Sequence, residues 1–512
     1  MFATDTEKPE KGSSVTSVRA SVPSKAAGLV HQSEAPLLDG LRAYKARDMA
    51  PFSTPGHKQG LGADPELIEL FGADALRSDI PLGGGVSDTH FRGEPLKEAE
   101  ALAAEAWGAD RSYFLVNGSS AGNHASLLAS VRMGDKVIVA RDLHKSLLVA
   151  LILTGANPIY VSPEVHPELN VGLGIRPDQI ESALDEHPDA KLVALVSPSY
   201  CGVASDLAGI AAVAHARGVP VHVDEAWGPE FHFHPRLPAS AMSCGIDTAV
   251  ISTHKVLGSL TQAAILNVRG PLVDADRIGT TVGMVNTTSP SVLILASIDS
   301  ARRQMALQGE ALLERAIQFA ESARRRLQAV PGVSVLDGEQ LGVESFDLTK
   351  LVVDVDGLKM TGYEAEDILR DRFGICPEMS DQVGLVFLVT IADSQRSIDR
   401  LVDAFSTISR ERYSGKANRS VARSSGLVIA PGKLVMTPRD AFFANARAVP
   451  LAASEGEVSS ELVLPYPPGI PVLAPGEVIT AEKIAYLQEG AAHGQYISGP
   501  ADPTLTTIRV VD

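Results

Sequence analysis

The chain has 512 residues and a net charge of −17 with histidines neutral. That length allows two or three domains with real cores, and an acidic surface argues against nucleic acid or an anionic membrane as the main partner. Three cysteines far apart in the chain, Cys201, Cys244 and Cys376, exclude a disulfide scaffold and a metal finger and make a reducing cytoplasm the default.

The stretch from Met1 to about Lys25 is rich in Ser, Lys, Glu and Pro and has no apolar signal-peptide core, so residues 1–33 are expected as a disordered tail. Residues 34–75 follow as an N-terminal segment. From Ser112 to Val268, short apolar runs alternate with helical stretches. The strands expected are Tyr113–Val116, Lys136–Ala140, Leu192–Val196, Val219–Val223, Thr248–Ile251 and Ala263–Val268. Between them, helices are expected at Asn123–Arg132, Pro177–Glu186 and Leu207–Arg217. This alternation implies an α/β large domain over 76–300, with a mostly parallel sheet covered by helices on both faces. The longest apolar stretch near the middle, Leu147–Leu153, falls far short of the roughly 18 residues a membrane span needs.

After Ser291 a long helical pattern runs to about Val330. Strands near Val333–Leu336 and Lys350–Val355 and a helix at Tyr363–Phe373 then suggest a smaller α+β domain over 301–412. The polar, basic stretch Arg410–Ser425 is the best linker candidate, and the linker is expected over 413–426. A C-terminal domain over 427–512 carries the Pro/Gly-dense run Leu464–Glu477, which can be neither helix nor central strand and is expected as a rigid ordered loop.

Three features sit where such a sheet places function, at the C-terminal ends of strands. Asn117-Gly-Ser-Ser-Ala-Gly122 follows a strand and opens a helix, so small residues, free N–H groups and the hydroxyls of Ser119 and Ser120 could cradle a phosphate. Alone, it is equally a capped helix start. Asp224 ends an alternating strand in Val221-His-Val-Asp-Glu-Ala-Trp227 and could hold a ring nitrogen protonated, or simply cap a turn. Lys255 in Ser252-Thr-His-Lys255 could be a desolvated amine nucleophile, or a surface lysine. Ser252 and His254 offer further phosphate donors. His144, in Arg141-Asp-Leu-His-Lys-Ser146, also follows a strand and could stack on a ring. Phosphate cradle, acidic strand end and lysine, in that order, suit pyridoxal 5'-phosphate (PLP): one site each for its phosphate, its pyridine nitrogen and its aldehyde.

The stretches Thr54-Pro-Gly-His-Lys58, Asn117–Asn123, His144-Lys-Ser146, Asp224–Trp227 and Ser252–Lys255, with Pro465–Glu477, resemble the bacterial ornithine/lysine/arginine decarboxylases. These are PLP-dependent enzymes of the aspartate aminotransferase fold type I, and the resemblance covers roughly Pro36 to the C-terminus. It implies that Lys255 carries PLP as a Schiff base, that Asp224 contacts the pyridine nitrogen and that His144 stacks on the ring. Ser119, Ser120, Ser252 and His254 would hold the phosphate, with Ala226 and Trp227 flanking the cofactor. His57 and Lys58 would lie near the entrance. Too few residues precede Thr54 for the wing domain of the large enteric members, so the chain resembles the shorter form. The short members usually read Asp-Glu-Ala-His-Gly-Ala-His after the strand. Here the run is Asp224-Glu-Ala-Trp-Gly-Pro-Glu230.

The expected reaction is α-decarboxylation of a basic L-amino acid (arginine, lysine or ornithine) by a cytoplasmic homodimer or higher homo-oligomer without metal. Polyamine synthesis, acid resistance and a specialised pathway all stay open as its role. A cationic substrate needs a distal carboxylate, for which Glu230, Glu378 and Asp381 are candidates, with His57 as a further substrate contact. Transamination on the same fold, or a catalytically silent regulatory homologue, are the alternatives.

Overall fold

The computed structural model describes residues 31–47, 49–86, 94–166, 171–415, 431–466, 469–492 and 495–512. Most of the expected tail and linker lie outside the described residues. At their edges two boundaries move. Gln32 is buried, donating to the Leu102 carbonyl at 2.9 Å and accepting from Arg302, so it belongs to the folded body rather than to a tail. Arg410 to Arg412 finish a helix instead of opening a linker.

The chain opens with α1 (Pro36–Lys45) and α2 (Pro95–Trp107). It then alternates β1 (Arg111–Leu115), α3 (Gly118–Ser130), β2 (Lys136–Ala140), α4 (Lys145–Thr154) and β3 (Asn157–Val161). There follow α5 (Pro177–Glu186), β4 (Leu192–Val196), α6 (Leu207–His215), β5 (Val221–Asp224), β6 (Thr248–Ile251) and β7 (Ala264–Val268). These seven strands form one sheet in the order β1-β7-β6-β5-β4-β2-β3. Strand β7 runs antiparallel to both its neighbours, and every other pair is parallel. The mostly parallel sheet with helices on both faces is the one expected from the sequence, and the strand order and the reversed β7 are added by the structure.

Alternation along each strand builds the two faces. Ile138, Val193, Leu195, Val221 and Val223 pack with Ile180, Leu184, Leu207 and Ile210 of α5 and α6. Their sequence neighbours Val137, Val139, Leu192 and Ala194 pack on the opposite face with Leu127 of α3 and Leu147, Leu148 and Leu151 of α4. Gly122 lets α3 approach the sheet. A Cβ there would lie 2.5 Å from Val250 Cγ2 and 2.9 Å from Leu115 Cδ1.

After α7 (Ala275–Val285), the 37-residue helix α8 (Val292–Gln328) leads from the large domain into a smaller one. There β8 (Ser334–Leu336), β9 (Lys350–Asp354), β10 (Met379–Ser380) and β11 (Gly384–Leu388) form an antiparallel sheet. Helices α9 (Gly362–Phe373) and α10 (Gln395–Arg412) share a core with it and with the end of α8.

The C-terminal part has its own core, around Val463, Leu473, Ile479 and Leu487. It pairs β12 (Ala446–Pro450) with β15 (Thr507–Val511), and β13 (Leu464–Tyr466) with β14 (Tyr496–Ser498), flanked by α11 (Ala481–Ala492). The Pro/Gly run therefore begins as a strand of a two-stranded pair, where a proline without an N–H is tolerated. Its later part clasps Arg141. This fully buried guanidinium donates to the carbonyls of Pro471 at 2.5 Å and Val472 at 3.4 Å, and pairs with Glu477 at 3.1 Å. Lys483 holds the same Glu477 oxygen at 2.8 Å. Among the described residues, no helix is long and apolar enough to cross a membrane.

Candidate active site

Strands β1, β2, β5 and β6 reach the same sheet edge, and the chain leaving each one contributes to a single cavity of about 440 Å³. After β1, Asn117 caps α3 without a side-chain hydrogen bond to the helix's first turn. Gly118, Ser119 and Ser120 line the cavity at that helix end. Gly118 sits at φ +70° and donates its N–H to the Gln262 carbonyl at 2.9 Å. Gln262 also lines the cavity and holds φ +78°, a left-handed conformation that costs a non-glycine residue about 1 kcal/mol or more.

After β6, Ser252 Oγ is fully buried and has no hydrogen-bond partner among the described residues. Such an orphan costs about 1–3 kcal/mol, a cost that an acceptor oxygen in the cavity would remove. His254 donates its Nδ1 proton to the Ala263 carbonyl at 2.8 Å, because a carbonyl only accepts. Its Nε2 is left for a ligand. Burial, together with nearby Lys255, holds this imidazole below its ordinary pKa despite the Ala263 bond. The start of α3, the orphaned Ser252 and His254 together form a set that fits a phosphate.

Lys255 faces Asp224 across the cavity. Burial pushes its amine down to about 8, although Asp224 and Glu378 pull the other way; Lys350 adds to the fall. Its Nζ lies 3.9 Å from the Trp227 ring centroid. Asp224 is buried, accepting from Asn123 Nδ2 at 2.7 Å and from the Ala226 N–H at 3.2 Å. His144 caps α4, and burial holds its ring neutral, down to about 4. One consequence is measurable. A lysine with a pKa near 8 becomes a free amine well below the ordinary lysine range. The rate at which the chain, with nothing bound, condenses with an aldehyde should therefore rise through a midpoint of about pH 8. A midpoint near 10 would show an ordinary lysine.

Lys255, Asp224, His144, Ser119, Ser120, Ala226, Trp227, Ser252 and His254 thus all line one cavity. So does Glu378, on the small domain just before β10. The other three substrate candidates do not line it. Glu230 is fully buried, and its carboxyl, pushed up to about 8 by burial and by Asp347, faces the Lys350–Asp347 pair. Asp381 accepts the N–H groups of Val383 and Gly384 in a turn, at 2.7 and 2.8 Å. His57 pairs with Asp79 at 3.1 Å and accepts from the Gly60 N–H at 3.0 Å.

Residues 35–346 match the Orn/Lys/Arg decarboxylase major-domain model, and residues 425–499 match the C-terminal-domain model of the same group. The chain belongs to the Orn/Lys/Arg decarboxylase family. It is a carboxy-lyase that acts on a basic amino acid. This decarboxylase is 42% identical over 485 residues to an arginine decarboxylase of Bacillus subtilis (strain 168), covering 94% of this chain and 98% of that one. With the inducible lysine decarboxylase of Escherichia coli (strain K12) the identity is 26% over 551 residues, covering 88% and 76%. Among solved structures, the lysine decarboxylase of Francisella novicida shares its fold, with a TM-score of 0.81 at 23% identity over 94% of this chain and 82% of that one.

Some parts of the decarboxylase's cavity have no sequence signal. Tyr200, Val196, Thr261, Gln262 and Leu388 line it without belonging to any motif. Beneath it, Asn123, His222, Thr248 and Ser126 form a buried hydrogen-bonded chain whose members come from α3, β5 and β6. The motif Asn117–Asn123 contains Asn123, but nothing in the spacing points it at Asp224.

Proposed function

We propose that this enzyme decarboxylates L-arginine with PLP bound at Lys255. The observation that carries the reading is the meeting, in one cavity, of an amine lowered to about 8, a buried carboxylate and a phosphate-type donor set that includes the orphaned Ser252 hydroxyl. When bound, PLP supplies an electron sink that lets the Cα–carboxylate bond break. Lys255, its amine pushed down to about 8, would be the attacking amine, and once protonated it would be the group to return a proton to Cα. Asp224 holds a ring nitrogen protonated, fixed by Asn123 and by the Ala226 N–H. Neutral His144, which lines the same cavity, would stack on one face of the ring. Ser119, Ser120, Ser252 and His254 hold the phosphate, and Ala226 and Trp227 flank the cofactor. Val196 and Leu388 give the cavity an apolar wall against which a carboxylate is poorly solvated. That environment favours loss of CO2 over retention of the charged group.

The preference for arginine rests on two supports. The relative at 42% identity is an arginine decarboxylase, whereas the lysine enzyme stands at 26%. Glu378 also places a carboxylate on the wall, and a planar guanidinium pairs with one more specifically than an ammonium does. A homodimer is the proposed working unit, because Phe52, Leu61, Leu70 and Phe71 remain exposed in the N-terminal segment. Incubation with arginine, lysine and ornithine in turn, with the amine and CO2 quantified, tests the substrate. Arginine is expected to lead in kcat/KM by about tenfold or more; a lead for lysine or ornithine would overturn the choice. Glu378→Gln should raise KM for arginine about tenfold, or roughly 1.4 kcal/mol, with kcat little changed. A fall in kcat at constant KM would remove Glu378 from the distal end of the substrate.

A further inference from the structure

The hydrogen-bonded chain beneath the cavity has a fixed direction, which follows from which atoms can donate. Asn123 Nδ2 lies 2.7 Å from Asp224 Oδ2 and 2.7 Å from Ser146 Oγ. A carboxylate oxygen accepts, so the amide presents its NH2 group on that side and both of its protons are used. The other end, Asn123 Oδ1, lies 2.8 Å from His222 Nε2 and can only accept. His222 Nε2 therefore carries a proton. Burial keeps this imidazole neutral at about 4, so its Nδ1 has none and accepts from Thr248 Oγ1 at 2.9 Å. Thr248 in turn accepts from Ser126 at 3.0 Å.

On the near side, Ser146 Oγ accepts from Asn123. Its own proton is free for His144 Nδ1, 2.8 Å away. The Ser146 backbone N–H also points at His144 Nδ1, at 3.3 Å. Two donors on Nδ1 leave Nε2 as the protonated nitrogen of a neutral ring. The charged or titratable groups around His144 are Asp224, Lys255, Lys145 and His124. None of them supplies the hydrogen bond that Ser146 makes.

We propose that Asn123 is a positioning residue that ties Asp224 to His144. One N–H of its amide orients the Asp224 carboxylate. The other, relayed by the Ser146 hydroxyl, fixes His144 as its Nε2–H tautomer with that N–H turned to the cavity. This rests on the roles given above to Asp224 and His144. Asn123 lies 101 residues from Asp224 in the chain, yet one amide serves the groups assigned to the ring nitrogen and the ring face.

The test uses the full-length chain with 15N-labelled histidine rings, with and without PLP. His144 is identified by the signal that vanishes in His144→Gln. The expected result is a protonated Nε2 and an unprotonated Nδ1 before any cofactor is added. Asn123→Asp keeps the shape but replaces the NH2 group with an accepting oxygen. Ser146 should then turn its proton toward the new carboxylate, and an Nδ1–H form of His144 should appear. PLP should bind about tenfold more weakly, and kcat should fall about tenfold or more with KM within about threefold. Ser146→Ala cuts the His144 branch alone, so the tautomer signal should change while PLP affinity stays within about twofold. It also serves as the variant of record if Asn123→Asp fails to fold by circular dichroism. His144 with unchanged tautomer populations in the variants, or Asn123→Asp with wild-type kcat, would overturn the proposal. A wild-type chain that shows the tautomer but binds no PLP would instead overturn the cofactor reading and leave the Asn123 relay standing.

Discussion

Lys255→Ala should lower kcat by about four orders of magnitude or more, the scale on which enzymes lose function when a covalent nucleophile is removed. A second buried lysine stands close by, since Lys350 Nζ lies 5.3 Å from the same Trp227 ring. It is no substitute. Burial alone would lower its pKa, but Asp347 at 2.8 Å and nearby Glu230 outweigh that effect and hold it raised. Lys350 therefore stays an ammonium without a lone pair to attack with, whereas Lys255 loses its proton near pH 8. The variant should lack the visible absorbance of the lysine-bound cofactor, and borohydride reduction should leave no label on the peptide that spans position 255. A label that persists there, or elsewhere at the wild-type rate, would show that another amine does the work.

Arg141→Ala should remove about 3 kcal/mol or more from the attachment of the C-terminal part, because breaking a buried ion pair leaves an uncompensated charge. The guanidinium is fully buried, and it satisfies two carbonyls of the Pro/Gly run as well as Glu477. Lys483 would still hold Glu477, which keeps the expected loss at the lower end of the range for such pairs. The effect should reach catalysis. Arg141 and His144 share the short connection between β2 and α4, so loosening one end of it frees the other. Limited proteolysis should cut the C-terminal part of the variant faster, and kcat should fall with it. Arg141→Lys should rescue little, since one ammonium cannot reach both carbonyls and the carboxylate in a fork. A variant with wild-type protease resistance would show that the clasp contributes little.

The parts of this enzyme that were legible in its sequence are those governed by local pattern. Leu192–Val196 reads as a buried strand because every residue is apolar, and all five are buried. Strand β3 escaped because Asn157 and Pro158 open it, and neither is a strand-forming residue. Helix α4 is apolar almost all round, being buried between the sheet and other helices, so it lacks the one-sided stripe that marks a surface helix. The sequence motifs led to the cavity's charged corners, Lys255 and Asp224, because each follows a recognisable strand. They could not say which way Glu230 faces. Glu230 lies six residues past the end of β5, beyond the reach of the strand's alternation, and it sits in the core beside Lys350. The Asn123 relay was hidden for another reason: its partners, Asp224 and His222, lie about a hundred residues away and meet it only through the sheet order.

Strand β7 is the single reversed strand of the large sheet, and it simplifies how the chain is routed. Two adjacent parallel strands need a crossover that travels the full length of the sheet and back, usually a helix of a dozen residues or more. By running the other way, β7 lets the chain from Ile251 to Ala264 turn over at one rim without ever leaving it. Lys255 rides on the outgoing limb of that arch, and Thr261 and Gln262 on the returning limb. The return limb then lies alongside the exit of β1, since Leu115 is in register with Ala264, and this brings the Gln262 carbonyl to the Gly118 N–H. Lys255 and Gly118, the proposed nucleophile and the start of the proposed anion cradle, lie more than a hundred residues apart in the chain and are thereby fastened to a common frame. An insertion in this arch would displace both together, whereas an equal insertion in the loops at the opposite rim should leave them in place.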